Sequence, residues 1–385
     1  ENLEAYDLYL KGRDLMFSRE EEKIQEGIQY ITEAISMDEE FALAYAAVSL
    51  SYSMIDLNQQ AKRYLEESNS FADQALLLDP QLAQSLIAKA LYYLNTYQMD
   101  QSLSYLDKAL EYNPNSLLVI NILSDFYTNY IPDSRKYLEY ALRGLRLENL
   151  SKDSATSSYT YLHIGNAFIQ SGFVNEAEYY LEKSLDYLPS NLYSQYVLAY
   201  VDYVNHRDLE KLNADLYRVY IKDTTRMDVL QELAKTFYFM RDFEKSKKYY
   251  EKFIELKRIS GSEIFPAEDF KIAAVYRALG EDEKADFYVN RFITYSENDQ
   301  SIYRHLNRFI YKVFLGETED ALSALELFSK EQNFHYWILV FLEMDPVLDD
   351  VKKLPEFLNL MEKINVTFNK RQTDMKEYLE GQELI

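Results

Sequence analysis

Apolar residues along this chain gather into short phrases, interleaved with charged and amide residues and closed by proline. ADQALLLDP and LDKALEYNP end at Pro80 and Pro114, 34 residues apart, and LEKSLDYLP ends at Pro189. A period of that length accommodates one helix–turn–helix unit. The period fails near the end. There HYWILVFLEMDPVLDDVKKLPEFLNLMEKI still reads as amphipathic helices, punctuated by Pro346 and Pro355. The pattern predicts an all-α chain with a repeat array over 1–333 and a helical cap and tail over 334–385. A stack of repeats has to shield its terminal face. The lone Trp337 is assigned to the core of that cap.

The 34-residue unit resembles the tetratricopeptide repeat (TPR). In that repeat small residues at positions 8, 20 and 27 let two helices approach, a large residue at 24 fills the gap, and Pro at 32 stops the second helix. From Gln81 to Pro114 these positions hold Ala90, Ser102, Ala109, Leu106 and Pro114, with Tyr93 at 11. The unit ending at Pro189 holds Gly165, Phe168, Ala177, Leu181 and Ser184. Other units are worn. Gly12 and Ala34 mark the first; Tyr45, Ser49, Tyr52, Ser68, Ala72 and Ala75 the second; Ser124, Tyr127 and Ala141 the fourth. The sixth keeps Ala199 but has Lys211 at position 20, and the seventh has Ala234, Phe237, Ser246 and Tyr250. Gly280 and Gly316 mark inter-helix turns of the last two, ahead of Ala285 and Ala321. The resemblance implies a right-handed TPR superhelix, an α-solenoid of about nine helix–turn–helix repeats. Insertions fall between helices, at 18–23, 56–61 and 150–157, where added length costs little. KRISGSEIFPAED (257–269) is the candidate hinge.

Composition agrees with this. Only 9 Gly and 7 Pro occur, too few for the turns of a sheet-rich fold. The 36 Tyr and 21 Phe supply ample side chain to bury. A formal charge of −23 repels phosphate backbones and anionic membranes, so neither nucleic acid nor a lipid surface is an expected partner of this region. With no Cys, disulfides, thiolate metal sites and Cys nucleophiles are excluded. No apolar run is long enough to span a membrane. The four His, His163, His206, His305 and His335, lie far apart, and no HExxH, GxxxxGK[ST], GxSxG or GxGxxG is present. No catalytic residue, metal ligand or cofactor site is expected, and the chain reads as no enzyme.

A narrower resemblance lies at the two ends. NLEAYDLYLKGR (2–13) with AISMDEEFALAYAAVSLSY (34–52), and MDPVLDDVKKLPEFLNLMEKI (344–364), resemble the limits of TPR regions in bacterial signalling proteins. In those the array is appended to cyclase domains, winged-helix regulators or serine/threonine kinases. The resemblance implies a bacterial regulatory or sensor module. It leaves open cytoplasm or periplasm, and attachment to a single membrane-spanning helix. The start at Glu1, inside a helical pattern, implies a piece of a longer protein.

Family geometry places positions 2, 5, 9, 12 and 13 of each first helix on the concave surface. In the sixth repeat these are Tyr193, Tyr196, Tyr200, Tyr203 and Val204. Neighbouring repeats offer Asn121, Asp125, Thr128 and Asn129, then Tyr159, Asn166 and Gln170, then Gln231, Lys235 and Tyr238. Aromatics with polar tips give contact area at low entropic cost, and amides pair with an extended backbone. The expected partner is therefore a protein or peptide, with a homo-oligomer left open. A small-ligand or glycan sensor using the tyrosines as stacking platforms is the alternative, weakened by the single Trp. A carboxylate clamp needs more inward cations than Lys235 and Arg277.

Overall fold

The computed structural model describes residues 2–381, apart from Phe17, Arg19, Asn58, Gln60 and 149–153. The start at Glu1 and part of the insertions at 18–23, 56–61 and 150–157 therefore lie outside the described residues. Among the described residues there are twenty α-helices and no strand; one isolated bridge pairs Gln59 with Ser262. The first eighteen helices follow one another in the order that nine helix–turn–helix repeats require.

The chain divides into two compact units. One comprises 1–123 with 261–263, the other 124–260 with 264–385. The first holds α1 (Leu3–Met16), α2 (Glu21–Met37), α3 (Ala42–Asp56), α4 (Leu65–Leu78), α5 (Ala83–Asn95) and α6 (Met99–Tyr112). The boundary falls inside α7 (Leu117–Asn129). The second unit continues with α8 (Ser134–Glu148), α9 (Ser154–Gln170), α10 (Val174–Tyr187), α11 (Leu192–His206) and α12 (Leu209–Tyr220). Then come α13 (Met227–Phe239), α14 (Phe243–Ser260), α15 (Asp269–Ala278) and α16 (Asp282–Asn298). It ends with α17 (Arg304–Phe314), α18 (Thr318–Phe328), the short α19 (Trp337–Phe341) and the long α20 (Pro355–Gly381).

Small residues at the crossing points explain the pairing. Ala90, Ser102, Ala109, Ala177 and Ser184 are all but sealed from solvent. A Cβ added at Gly165 would lie 2.6 Å from Leu181 Cγ, so α9 and α10 touch through the position-8 and position-24 residues. At several small-residue positions held by serine, the hydroxyl is paired across the crossing. Ser49 donates to the Ser68 carbonyl at 2.7 Å, and Ser184 to the Ser158 carbonyl at 2.6 Å. The burial penalty of a hydroxyl is thereby met. Lys211, the misfit at position 20, sits in the first turn of α12 and points outward to Asp202, 2.5 Å away. Leu212 and Leu216 still bury, so the register holds.

Gly280 and Gly316 adopt φ of +76° and +79° in their turns. Tyr97, Arg207 and Arg241 take the same left-handed conformation at equivalent turns without the help of glycine. Nothing lies within 4 Å of a Cβ built at Gly280. Gly280→Ala should therefore lose stability through backbone strain alone, about 1 kcal/mol. A urea midpoint equal to or above that of the unaltered chain would contradict this.

The segment 257–269 is not one continuous joint. α14 runs to Ser260, residues 261–263 group with the first unit, and a 3-10 turn at Pro266–Glu268 leads into α15. At the chain's end, Phe357, Leu360, Met361, Ile364 and Phe368 of α20 join Leu306 and Phe309 of α17 and Leu325 and Phe328 of α18 in one apolar cluster.

Candidate functional site

Within the second unit, the inner side of α11 and α13 carries the densest polar and aromatic chemistry. α11 starts at Asn191, whose side-chain oxygen accepts from the Tyr193 and Ser194 amides at 3.1 and 3.3 Å. This N-cap sets the helix phase. Val197, Ala199 and Val201 are buried by that phase, while Tyr196 and Tyr200 share an acceptor and Tyr200 and Tyr203 share a cover.

The acceptor is Glu232 on α13, only 5% exposed. It receives the Tyr196 hydroxyl at 3.3 Å, the Tyr200 hydroxyl in a very short contact, the Gln231 amide at 2.6 Å and the Lys235 ammonium at 2.6 Å. Burial, then the Glu232 charge, raises the pKa of both tyrosines well above 10, so each stays a donor. Burial opposes the Lys235 charge, but Glu232 and Glu268 outweigh it and raise its pKa. A second buried carboxylate, Glu268, accepts from the Tyr250 hydroxyl at 2.8 Å and pairs with Lys271 at 3.4 Å. Burial pushes Glu268 up, yet Lys271, Lys235 and Tyr250 hold it below its ordinary 4.5. Its contribution to stability is present above about pH 4.5 and is lost as pH falls through the lower folded value.

The cover is the chain itself. Trp337 meets Tyr200 edge-on, with ring centroids 5.6 Å apart. Phe341 lies flat between Tyr203 and Phe239, at 5.4 and 5.3 Å. Trp337, expected inside the cap core, instead faces α11. On the five-residue α19 its neighbours Ile338 and Leu339 take the core side.

The remaining expected groove residues are dispersed. Asn121 falls in the first unit, while Asn129 and Tyr159 are exposed on α7 and α9. Tyr193 is 41% exposed, with the Arg226 guanidinium 4.0 Å from its ring centroid. Asn166 donates to the Tyr137 hydroxyl at 3.1 Å. Gln170 pairs with the Thr128 hydroxyl at 3.0 Å, and its carbonyl accepts the Tyr336 amide at 2.8 Å. The structure thus brings Tyr196, Tyr200 and Lys235 together around Glu232, and adds Tyr203 through Phe341. Sequence reasoning missed Glu232, Glu268, Phe341 and Asp345. Phe341 and Asp345 do fall in a regular series, Trp337, Phe341, Asp345 and Asp349, four residues apart each time, but the series names no partner, and nothing marked Glu232 or Glu268.

The described residues hold no group of three or more His, Cys, Asp or Glu placed for a metal ion. None of their helices is long and apolar enough to cross a membrane.

Stacked helical hairpins with small residues at most of their crossings define an α-solenoid, a class whose extended surfaces serve recognition. Residues 83–116 and 228–259, which are α5–α6 and α13–α14, match the tetratricopeptide-repeat family model. The chain thus carries tetratricopeptide repeats at these two places. Its fold is similar to that of the human IFIT1 dimer solved with m7Gppp-AAAA: TM-score 0.51 and 16% identity, over 74% of this chain and 71% of that one. It is likewise similar to a monomeric IFIT1 mutant solved with Gppp-AAAA, at TM-score 0.51 and 15% identity over 74% and 70%. A tetratricopeptide repeat protein from Parabacteroides merdae aligns at TM-score 0.40 and 13% identity, over 73% of this chain and 98% of that one. At such identities the likeness to the IFIT1 structures is one of fold. No curated protein sequence matches the chain significantly.

Proposed function

We propose that the chain is a non-catalytic scaffold that binds a protein or peptide segment along the inner faces of its first-of-pair helices. In this reading it acts as the regulatory or sensor module of a larger bacterial signalling protein. TPR arrays serve in general as protein-interaction scaffolds. The observation that carries the reading here is that α9, α11 and α13 already hold a stretch of irregular polypeptide, residues 333–349. They hold it through backbone as well as side-chain contacts, including Tyr336 N to Gln170 O and, from the start of α8, Ser134 Oγ to Asn333 O at 3.0 Å. Phe341 and Trp337 cover the rings of Tyr200 and Tyr203, so these two rings are not an open platform for a glycan. The IFIT1 structures contain capped RNA, but a charge of −23 opposes phosphate binding in this chain.

Tyr159 and Tyr193 are exposed inner-face residues, so they can be truncated without opening the core. A protein captured by the immobilised chain from the source cell, purified and titrated, should lose at least about tenfold in affinity for Tyr159→Ala/Tyr193→Ala. Circular dichroism should stay unchanged. Unaltered affinity in the folded variant, or tight binding of a capped RNA oligonucleotide in place of protein, would overturn the reading.

A further inference from the structure

Between Phe328, where α18 ends, and Pro355, where α20 begins, the chain makes only the five-residue α19 and three single 3-10 turns, Leu342–Met344, Pro346–Leu348 and Val351–Lys353. Pieces this short do not sustain themselves; contacts hold them in place. The contacts divide cleanly into two faces. Phe334, Leu342, Leu348 and Val351 belong to the apolar cluster of α17, α18 and α20. Trp337, Phe341, Met344, Asp345 and Asp349 face the repeats.

The second face is arranged as a ligand would be. Trp337 rests edge-on against Tyr200, and Phe341 is inserted between Tyr203 and Phe239. The Tyr203 hydroxyl donates to Met344 Sδ at 3.0 Å. The Asp345 carboxylate accepts the Tyr238 hydroxyl and also the Val347 amide, the latter at 3.1 Å. Asp349 takes the Arg241 guanidinium with both oxygens, at 2.7 and 2.9 Å. Every receiving side chain comes from α11, from α13 or from Arg241 in the turn after α13. An aromatic slot flanked by polar hooks is the form of a peptide site with buried anchors and a charged rim. The charges agree at the rim, where Asp349 pairs with Arg241 in an otherwise acidic chain. On this face Asp345 and the receiving Tyr200, Tyr203 and Tyr238 are buried, and the remaining anchors are less enclosed. Trp337 and Phe341 keep partial exposure, and the Arg241–Asp349 pair is 46% and 41% exposed, where ion pairs contribute little. Leu342 and Leu348, between these anchors, keep the segment tied to the cap cluster by its first face.

We propose that Trp337–Asp349 is an intramolecular placeholder, and that the partner displaces it from α11 and α13. The partner segment would present two aromatics four residues apart, with an acidic residue four further on. The proposal rests on the scaffold reading above and narrows it to one groove and one ligand chemistry. A groove filled from within binds an outside segment with an affinity reduced by the fraction of time it stands empty. Emptying it should raise that affinity.

The test uses the full chain and a fluorescent synthetic peptide of residues 334–350. The unaltered chain should bind the peptide weakly. Trp337→Ala/Phe341→Ala, which vacates the slot, should bind it at least about tenfold tighter. Adding Tyr203→Ala should remove the gain, and a peptide lacking both aromatics should not bind. Should the double variant lose helicity, Asp349→Arg replaces it: this rim reversal leaves the apolar clusters intact and should give a smaller gain, about two- to threefold. Amide exchange in the unaltered chain gives a reading free of variants, since 337–349 should open far faster than α11 and α13. Folded variants with no gain in affinity, equal binding by the filled and vacated chains, or exchange as slow as in α11 would each overturn the placeholder. If those results come while a captured protein still depends on Tyr159 and Tyr193, the scaffold reading stands and only the placeholder falls. If that dependence is also missing, the inner faces are not the binding surface at all.

Discussion

Glu232→Ala should remove roughly 3–5 kcal/mol of stability from the second unit, the cost of breaking a buried charge pair by deleting one partner. Four donors converge on this carboxylate: Tyr196, Tyr200, Gln231 and Lys235. Without it, two buried tyrosine hydroxyls lose their acceptor and an ammonium is left in a low-dielectric interior. Glu268 also acts on the Lys235 charge and offsets part of the loss. Glu232→Gln keeps an acceptor for the tyrosines but not the charge for Lys235, so it should fall between Glu232→Ala and the unaltered chain. Exposed Glu111→Gln should stay within about 0.5 kcal/mol. The measurement is urea unfolding followed by fluorescence of Trp337, the chain's single tryptophan, which packs on Tyr200 beside the network. A loss for Glu232→Ala no larger than that for Glu111→Gln would mean that the four donors find other partners, and that the cluster is not a unit.

How much of this was legible in the sequence follows from the range of each interaction. The pairing of helices is local, so it writes a period into the chain. Pro80 and Pro114 announced it, and Gly165 with Leu181 fixed its phase to the residue. Even the misfit Lys211 proved local, a first-turn residue pointing at Asp202. The contacts that shape the site are not local. Tyr203 meets a residue 141 positions away and Tyr238 one 107 away, and no spacing records such a pairing. Tyr196, Tyr200 and Lys235 were singled out by register alone, but their common partner Glu232 was one of 64 acidic residues with nothing to mark it. The division inside α7 was equally silent, because the helical pattern runs through Leu123 and Ser124 without a change of composition. Glycine signalled turns only where it was used. At Tyr97, Arg207 and Arg241 the same backbone conformation is held by residues that give no such cue.

Gly12→Ala should cost the first unit up to about 3 kcal/mol, although alanine is the better helix former by roughly 1 kcal/mol. The reason is what the added methyl would strike. A Cβ at Gly12 lies 2.5 Å from the Gly27 carbonyl oxygen and close against Ile31 Cγ1. A Cβ at Gly27 would in turn lie 2.7 Å from the Gly12 carbonyl oxygen. α1 and α2 thus meet backbone to backbone through two facing glycines, and a carbonyl cannot rotate aside as a side chain can. The helices must separate, which loosens Ile28, Ile31 and Ala34 in the cluster they share with α3. Gly165→Ala is the instructive comparison. Its nearest obstacle is Leu181 Cγ at 2.6 Å, the branch point of a flexible side chain, so part of the clash relaxes and the cost should be smaller. Amide exchange of α1 and α2, compared between the two variants and the unaltered chain, separates the cases. Gly12→Ala should raise exchange through both helices, and Gly165→Ala should raise it less across α9 and α10. If Gly12→Ala slows exchange instead, helix propensity has outrun the contact, and the close crossing of α1 on α2 is not what holds the first repeat together.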